Sequence, residues 1–374
     1  MGKIRILEAI RQGSIGGGES HVLDLVRNLD KSMFEPVVLS FTDGQMVDKL
    51  NEMKVKNYVL HTERPFDFRI WKKVKKLIKD EKIDLIHAHG TRAASNTFSS
   101  AKNLNIPFVY TVHGWSFHPD QSFIKKKLRI QGEQLITKLA NLSISVSQSN
   151  KETGQKLIGD FESEVIKNGV DQDKFSPARR YNNIREELGI AKDVTLIGFI
   201  SRMTKQKQPL ALIRAFNTIA EKYDNLKLLM VGDGDLKQEA EELVAQLKLK
   251  DKIILQGFRT DVPDILHAID VYCLPSLWEG LPLGLLEAMS MQKAVIASEV
   301  DGSLEIIKDG ENGILIPPGN ELELAIAMEA LHLDDKKREQ LGVAAKQSVL
   351  EDHNVQKMTK RVEDVYKKLY SSNN

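Results

Sequence analysis

Short apolar runs rich in β-branched residues alternate along this chain with longer stretches of helical periodicity. The runs predict strands at 3–9, 35–41, 55–60, 83–88, 107–112 and 142–146. Each is followed by a glycine, a polar residue or a capping residue, and then by a helix-like stretch. Pro107-Phe108-Val109-Tyr110-Thr111-Val112 is almost continuously hydrophobic, which marks a parallel strand covered by helices on both faces. The rhythm breaks over 168–193, where the turn signal Asn168-Gly169-Val170-Asp171 precedes Ser176-Pro177 and a charged segment. It restarts at Val194-Thr195-Leu196-Ile197-Gly198-Phe199-Ile200, with further strands predicted at 226–231, 252–256, 270–274, 294–297 and 313–316. Residues 320–371 read as mostly helical. Two successive arrays of this kind predict two doubly wound α/β domains, 1–170 and 171–353. In such sheets ligands bind at the carboxyl ends of the strands, where the strand order reverses.

A chain of 374 residues, 41% hydrophobic and 28% charged, is long enough for two cores and ordinary for a soluble globular protein. The net charge of +1 makes no demand for a nucleic-acid partner. That sum hides an asymmetry: residues 1–170 hold 26 Lys and Arg against 19 Asp and Glu, and the remainder holds 27 against 33. A basic first half suits an anionic neighbour, either a membrane surface or a phosphorylated acceptor. The basic helical stretches Trp71–Lys79 and Lys125–Arg129 would dock on anionic lipid or simply be solvated faces. The single cysteine, Cys273, lies in an apolar run and reads as a small core residue, so no internal disulfide is expected. No apolar stretch suits a signal peptide or a membrane span. The expected location is cytoplasmic, either soluble or peripheral at the inner face of the membrane.

The chemistry is concentrated in the strand-to-helix loops. Glu279 and Glu287 bracket Gly280-Leu281-Pro282-Leu283-Gly284-Leu285-Leu286. Pro282 suits a first helical turn, whose amides at Leu283 and Gly284 would face a diphosphate. Glu287, set among Leu285, Leu286, Ala288 and Met289, needs a partner to offset its desolvation, and a ribose diol would serve. The plainer alternative is two surface glutamates on an amphipathic helix. Arg202 and Lys207 follow the first strand of the second half, where two cations would neutralise a leaving diphosphate or form a solvated basic loop. Gly16, Gly17 and Gly18 would let the backbone approach a ligand or make a flexible turn. They match neither the dinucleotide fingerprint nor the phosphate loop, which argues against a nicotinamide oxidoreductase. His113 ends a strand and would meet a sugar hydroxyl or assist the acceptor, unless it is structural. His87 and His89 read as structural or cleft-lining, with no convincing metal site.

Together these residues resemble glycosyltransferase family 4, retaining enzymes of the GT-B fold, in which two Rossmann-like domains face a central cleft. The correspondence runs from the glycine loop through Thr111–Gly114, Asn168–Asp171, Arg202 to Lys207, Val231–Gly234 and Gly257–Arg259. It continues through Pro275–Gly280 to Glu287, and then Asp301–Glu305. The resemblance implies a hexosyltransferase whose co-substrate is a nucleotide-diphosphate sugar, with UDP favoured over GDP and no metal or other cofactor. It assigns the donor diphosphate to Arg202 and Lys207, the ribose to Glu287 and the donor sugar hydroxyls to Glu279, and it makes His113 the active-site histidine of the first domain. Gly16 and Gly17 would approach the donor phosphate and acceptor. Leu281, Leu283 and Gly284 would line the donor, and Gly257, Phe258 and Arg259 would cradle the base. The implied acceptor is a glycan or its lipid-linked precursor, in surface polysaccharide synthesis. Residues 354–374 would form a last helix crossing back to the first domain. The rival readings are a nucleotide-sugar epimerase or a phosphorylase of the same fold, or a non-catalytic sugar-nucleotide-binding subunit.

Overall fold

The computed structural model describes residues 2–118 and 121–373. The chain forms two compact units. The first comprises the residues up to Gly169 together with those from Val355 onward, and the second is Val170–Asn354.

The first unit holds seven strands: β1 (Ile4–Ile10), β2 (Phe34–Ser40), β3 (Lys56–Val59), β4 (Leu85–His89), β5 (Phe108–Val112), β6 (Leu142–Ser145) and β7 (Ser163–Val165). They lie in the order β3-β2-β1-β4-β5-β6-β7, and every pair is parallel. The sheet is buried on both faces because alternate side chains of each strand enter different cores. Leu7 and Ala9 pack with Val37, Leu39, Ile86 and Tyr110. Ile4 and Ile6 pack with Leu25, Phe34, Leu85 and Val109. The second of these cores is completed by the C-terminal helix Val355–Asn373. Val355, Met358, Val362, Val365 and Tyr366 recur at helical spacing and are buried there.

The second unit contains β8 (Thr195–Ile200), β9 (Leu226–Val231), β10 (Ile253–Gln256), β11 (Val271–Leu274), β12 (Ala294–Ser298) and β13 (Ile314–Ile316). Their order is β10-β9-β8-β11-β12-β13, again all parallel. Cys273 is fully buried in its core, and burial raises the thiol pKa. The chain enters and leaves this unit side by side: Val170 N donates to His353 O at 2.9 Å. Strand order reverses beside β1 and β4 in the first sheet and beside β8 and β11 in the second. Those two places are where a doubly wound sheet offers its ligand crevices.

Candidate active site

In the second unit the loops after β8 and β11 are knitted together. Leu277 N donates to Gln206 O at 2.8 Å, and Gln206 Nε2 donates to Trp278 O at 2.6 Å. The knitting brings Lys207 Nζ onto Glu279 Oε1. Both side chains are largely buried, 14% and 7% exposed. The sequence singles out both residues but gives no sign that they pair. Arg202, on the same loop as Lys207, is exposed. Backbone segments approach closely where glycine allows it: a Cβ on Gly302 would stand 1.9 Å from Gly280 O, and one on Gly232 2.0 Å from Ser201 O.

The helix after β11 begins one residue later than expected, at Leu283, and runs to Ser290. Pro282 is its N-cap residue, in extended conformation, rather than part of the first turn. The Pro282 carbonyl accepts from Leu285 N and Leu286 N at 3.2 and 3.3 Å. The amides of Leu283 and Gly284 belong to the opening turn, which has no intrahelical acceptors to offer them. Leu281 and Leu283 are buried, and Glu287, the fifth helical residue, is half-buried. Tyr272 of β11 lies under this turn: a Cβ on Gly284 would come within 2.7 Å of its hydroxyl. Burial, and then the negative charges of Glu287 and Glu279, push the Tyr272 phenol pKa well up.

Gly257, Phe258 and Arg259 follow β10. Phe258 is 37% exposed, and its amide donates to Asp233 Oδ2 at 2.7 Å. The Arg259 guanidinium is committed to two carboxylates, with Nε donating to Asp261 Oδ1 at 2.9 Å and Nη2 to Glu187 Oε2 at 3.1 Å. The neighbouring glycine backbone and aromatic face are therefore better suited to a base than the arginine is.

In the first unit the loops after β1, β4 and β5 converge at the crevice beside β1 and β4. Gly16 caps helix Gly17–Asn28 in an extended conformation without a side-chain cap. A Cβ on Gly17 would meet nothing within 4 Å, whereas one on Gly18 would stand 3.5 Å from the His113 ring. The glycine loop thus lies against His113. Behind His113 is a buried polar cluster that sequence reasoning reads as structural or misses: Glu8, His21, His87, His89 and Tyr366. Its signal is legible as a carboxylate inside the apolar run Ile6-Leu7-Glu8-Ala9-Ile10. Two histidines two residues apart in Ile86-His87-Ala88-His89 share one strand face. Register sets Glu8 opposite His87 and His89 opposite Thr111.

Burial lowers the pKa of His21 to about 3 and that of His89 to about 4. Burial also drives His113 well below its usual value, with help from neighbouring imidazoles. For Glu8, burial alone would raise the pKa, but His87 and His89 outweigh it and hold the carboxyl well below the usual range. Among the described residues, two groups set possible metal-ligand atoms within 4.8 Å of one another: His21, His89 and His113, and Glu8, His87 and His89.

With this geometry in place, comparison with known proteins identifies the class. Residues 15–174 match Glycosyltransferase Family 4, and residues 181–348 match Glycosyl transferases group 1. The UDP-Gal:alpha-D-GlcNAc-diphosphoundecaprenol alpha-1,3-galactosyltransferase of Escherichia coli is 31% identical over 304 residues, spanning 78% of this chain and 77% of that protein. The N-acetyl-alpha-D-glucosaminyl L-malate synthase of Bacillus anthracis is 25% identical over 323 residues, spanning 84% of this chain and 83% of that protein. Anabaena HepE, solved in complex with UDP and glucose, superimposes with a TM-score of 0.87. It is 23% identical and covers 98% of this chain and 100% of its own. The fold is therefore GT-B, the fold of the glycosyltransferases among these structural neighbours. This chain belongs to glycosyltransferase family 4, and it is an enzyme of sugar transfer.

Proposed function

We propose that the protein is a retaining hexosyltransferase that moves a sugar from a UDP-sugar to a hydroxyl of a glycan or lipid-linked acceptor in surface polysaccharide synthesis. The observation that carries this reading is the buried Lys207–Glu279 pair beside the opening turn of helix Leu283–Ser290. It puts a cation, helix-opening amides and carboxylates at the switch point of one sheet. In this reading Arg202, Lys207 and the amides of Leu283 and Gly284 hold the diphosphate and absorb the charge it gains as the anomeric C–O bond breaks. They do the work a metal would otherwise do. Glu279 holds Lys207 and addresses the sugar hydroxyls, Glu287 takes the ribose diol, and Gly257 and Phe258 face the base. His113, with Gly16 and Gly17, meets the sugar and acceptor. The acceptor oxygen bonds to the anomeric carbon on the face the diphosphate leaves, and its proton passes to the departing diphosphate oxygen. The preference for UDP rests on the uridine donor in the name of the Escherichia coli relative and on the UDP bound to HepE.

The acceptor is assigned to the first unit. A depression of about 470 Å3 there is lined by Gln12, Ser14, Thr42, Asp43, His61 and Glu63, from the loops that follow β1, β2 and β3, and by Arg92 in the first turn of the helix after β4. A lipid-linked acceptor also gives a role to helix Phe123–Leu139, which exposes Phe123, Ile124 and Leu128 beside Lys125, Lys127 and Arg129. That combination suits an anionic membrane surface. No helix among the described residues is long and apolar enough to cross a membrane.

Donor titrations on Lys207→Ala and Glu287→Ala test the reading. Each variant is expected to lose donor affinity or turnover by about a hundredfold, the order of loss when one charged contact to a transition state is removed. Normal affinity and turnover in both would sink the assignment. Epimerised sugar formed without acceptor, or dependence on free phosphate, would point to the rival reactions.

A further inference from the structure

The hydrogen bonds of the buried cluster in the first unit fix where its protons are. Glu8 is fully buried in β1. Its Oε1 accepts from the Tyr366 hydroxyl at 2.8 Å, and its Oε2 accepts from His89 Nε2 at 2.9 Å. An ionised carboxylate has no proton to give, so His89 carries its proton on Nε2. A neutral His89 then has a lone pair at Nδ1, which lies 3.1 Å from His113 Nε2. That lone pair can be satisfied only by a proton, so His113 is the Nε2–H tautomer and its Nδ1 is an acceptor.

The other branch closes in the same way. The Tyr366 proton goes to Glu8, so the Tyr366 oxygen accepts from His87 Nδ1. His87 Nδ1 also lies 3.3 Å from Glu8 Oε2, and its Nε2 lies 2.7 Å from the Thr111 hydroxyl. His21 does not disturb this order, because its Nδ1 is engaged with Asn168 Oδ1 at 3.1 Å. Its ring meets that of His113 edge-on at 4.8 Å. Burial keeps His89 and His113 neutral, as the assignment requires.

We propose that Glu8 is a positioning residue for His113: held by Tyr366 of the C-terminal helix, it fixes the His89 tautomer and so makes His113 meet the donor sugar as a hydrogen-bond acceptor. The functional half rests on the reading of His113 given under Proposed function, whereas the tautomer assignment rests on the hydrogen-bond geometry of the cluster and on the neutrality that burial gives its imidazoles. Without the Glu8 carboxylate, His89 can turn its proton to Nδ1. His113 Nε2 must then accept, and its free nitrogen becomes a donor. A sugar hydroxyl that gave its proton to His113 would lose that partner.

Long-range 15N NMR of histidine-labelled protein tests the chain directly, with the His113 signals assigned from a His113→Gln spectrum. The wild type is expected to show His113 as the Nε2–H form throughout about pH 6 to 9. Glu8→Leu should shift it to the Nδ1–H form or a mixture, and Glu8→Gln, which keeps an acceptor for His89, should restore the wild-type form at least in part. With UDP-glucose and UDP-galactose as probes, Glu8→Leu should lower turnover about tenfold or more, with UDP affinity unchanged within about twofold. Wild-type His113 in the Nδ1–H form overturns the proposal whether or not Glu8→Leu folds. An unchanged tautomer and turnover in folded Glu8→Leu also overturns it. If UDP and both UDP-sugars fail to bind the wild type while the spectra are as expected, the donor reading fails and the tautomer assignment stands.

Discussion

Gly284 shows how closely the donor side of the site is fitted. The opening turn of its helix rests on the buried Tyr272 hydroxyl, 2.7 Å from where a Cβ would be. Gly284→Ala is therefore expected to destabilise the protein by about 1–3 kcal/mol, the usual cost of overpacking, and to weaken donor binding by tilting the amides of Leu283 and Gly284. Tyr272→Phe removes the atom that clashes. The double variant should recover most of the lost stability in urea titrations, and equal losses with and without the hydroxyl would show that the strain lies elsewhere. At this scale the sequence is legible unevenly. Glu279 and Glu287 stand out because they are set among glycines and apolar residues, and Arg202 and Lys207 because they follow directly on an apolar strand. Glu8 does not, although one carboxylate inside an apolar strand is a stronger anomaly. Its partners come from β4 and from a helix more than three hundred residues away in sequence, and no local pattern pairs them.

The strands are legible wherever an apolar run is present, because parallel strands covered on both faces must be hydrophobic throughout. The missed strand, β7, is Ser163-Glu164-Val165, half-buried at the sheet edge, and carries no such run. The helices show a second limit of sequence reading: two basic stretches that look alike in sequence differ in the fold. Helix Phe68–Asp80 buries Ile70, Val74, Leu77 and Ile78, and its outward face is mostly lysine apart from Phe68. Helix Phe123–Leu139 buries only Glu133, Ile136 and Thr137. Glu133 fastens it to β5 and to helix Thr91–Leu104 by accepting from the Tyr110 hydroxyl at 2.8 Å and the Thr91 hydroxyl at 2.7 Å. Its first two turns are left with Phe123, Ile124 and Leu128 in solvent, 80%, 73% and 63% exposed. Each such side chain is worth about 1.5–3 kcal/mol when removed from water. Replacing the three with serine should cut sedimentation with phosphatidylglycerol vesicles by about tenfold or more, while the far-UV spectrum and UDP affinity are unchanged. Wild-type protein that stays in the supernatant at low salt would remove the membrane role from this helix.

At the scale of the whole molecule, the two units place their titratable groups differently. The first unit holds the buried His21 and His89 and the half-buried His113 as neutral rings, with His21 held to about pKa 3 and His89 to about 4 by burial before any other cause. In the second unit His267 and His332 are lowered by the same cause, but less strongly. In the unfolded chain all of these histidines titrate near 6.5. As pH falls below that value the unfolded state binds protons that the folded first unit refuses, so its stability decreases. For His21 and His89 together the loss between about pH 6.5 and pH 4 is on the order of 5 kcal/mol, since each tenfold change in proton affinity is worth about 1.4 kcal/mol. Glu8 adds to it lower down, because a carboxyl held below its usual pKa contributes stability that is lost as it becomes protonated. A loss of that size is comparable with the whole stability of an ordinary domain. The tryptophans allow the units to be followed separately, since Trp71 and Trp115 lie in the first and Trp278 in the second. A Trp278→Phe variant should report an acid transition of the first unit that begins below about pH 6. A variant with Phe at 71 and 115 should report the second unit unfolding at lower pH. His21→Leu cannot take up a proton in either state, so it should move the first transition to lower pH even where it costs stability at neutral pH. Coincident transitions in the two reporters, or a first unit that outlasts the second, would show that the buried imidazoles do not govern acid stability.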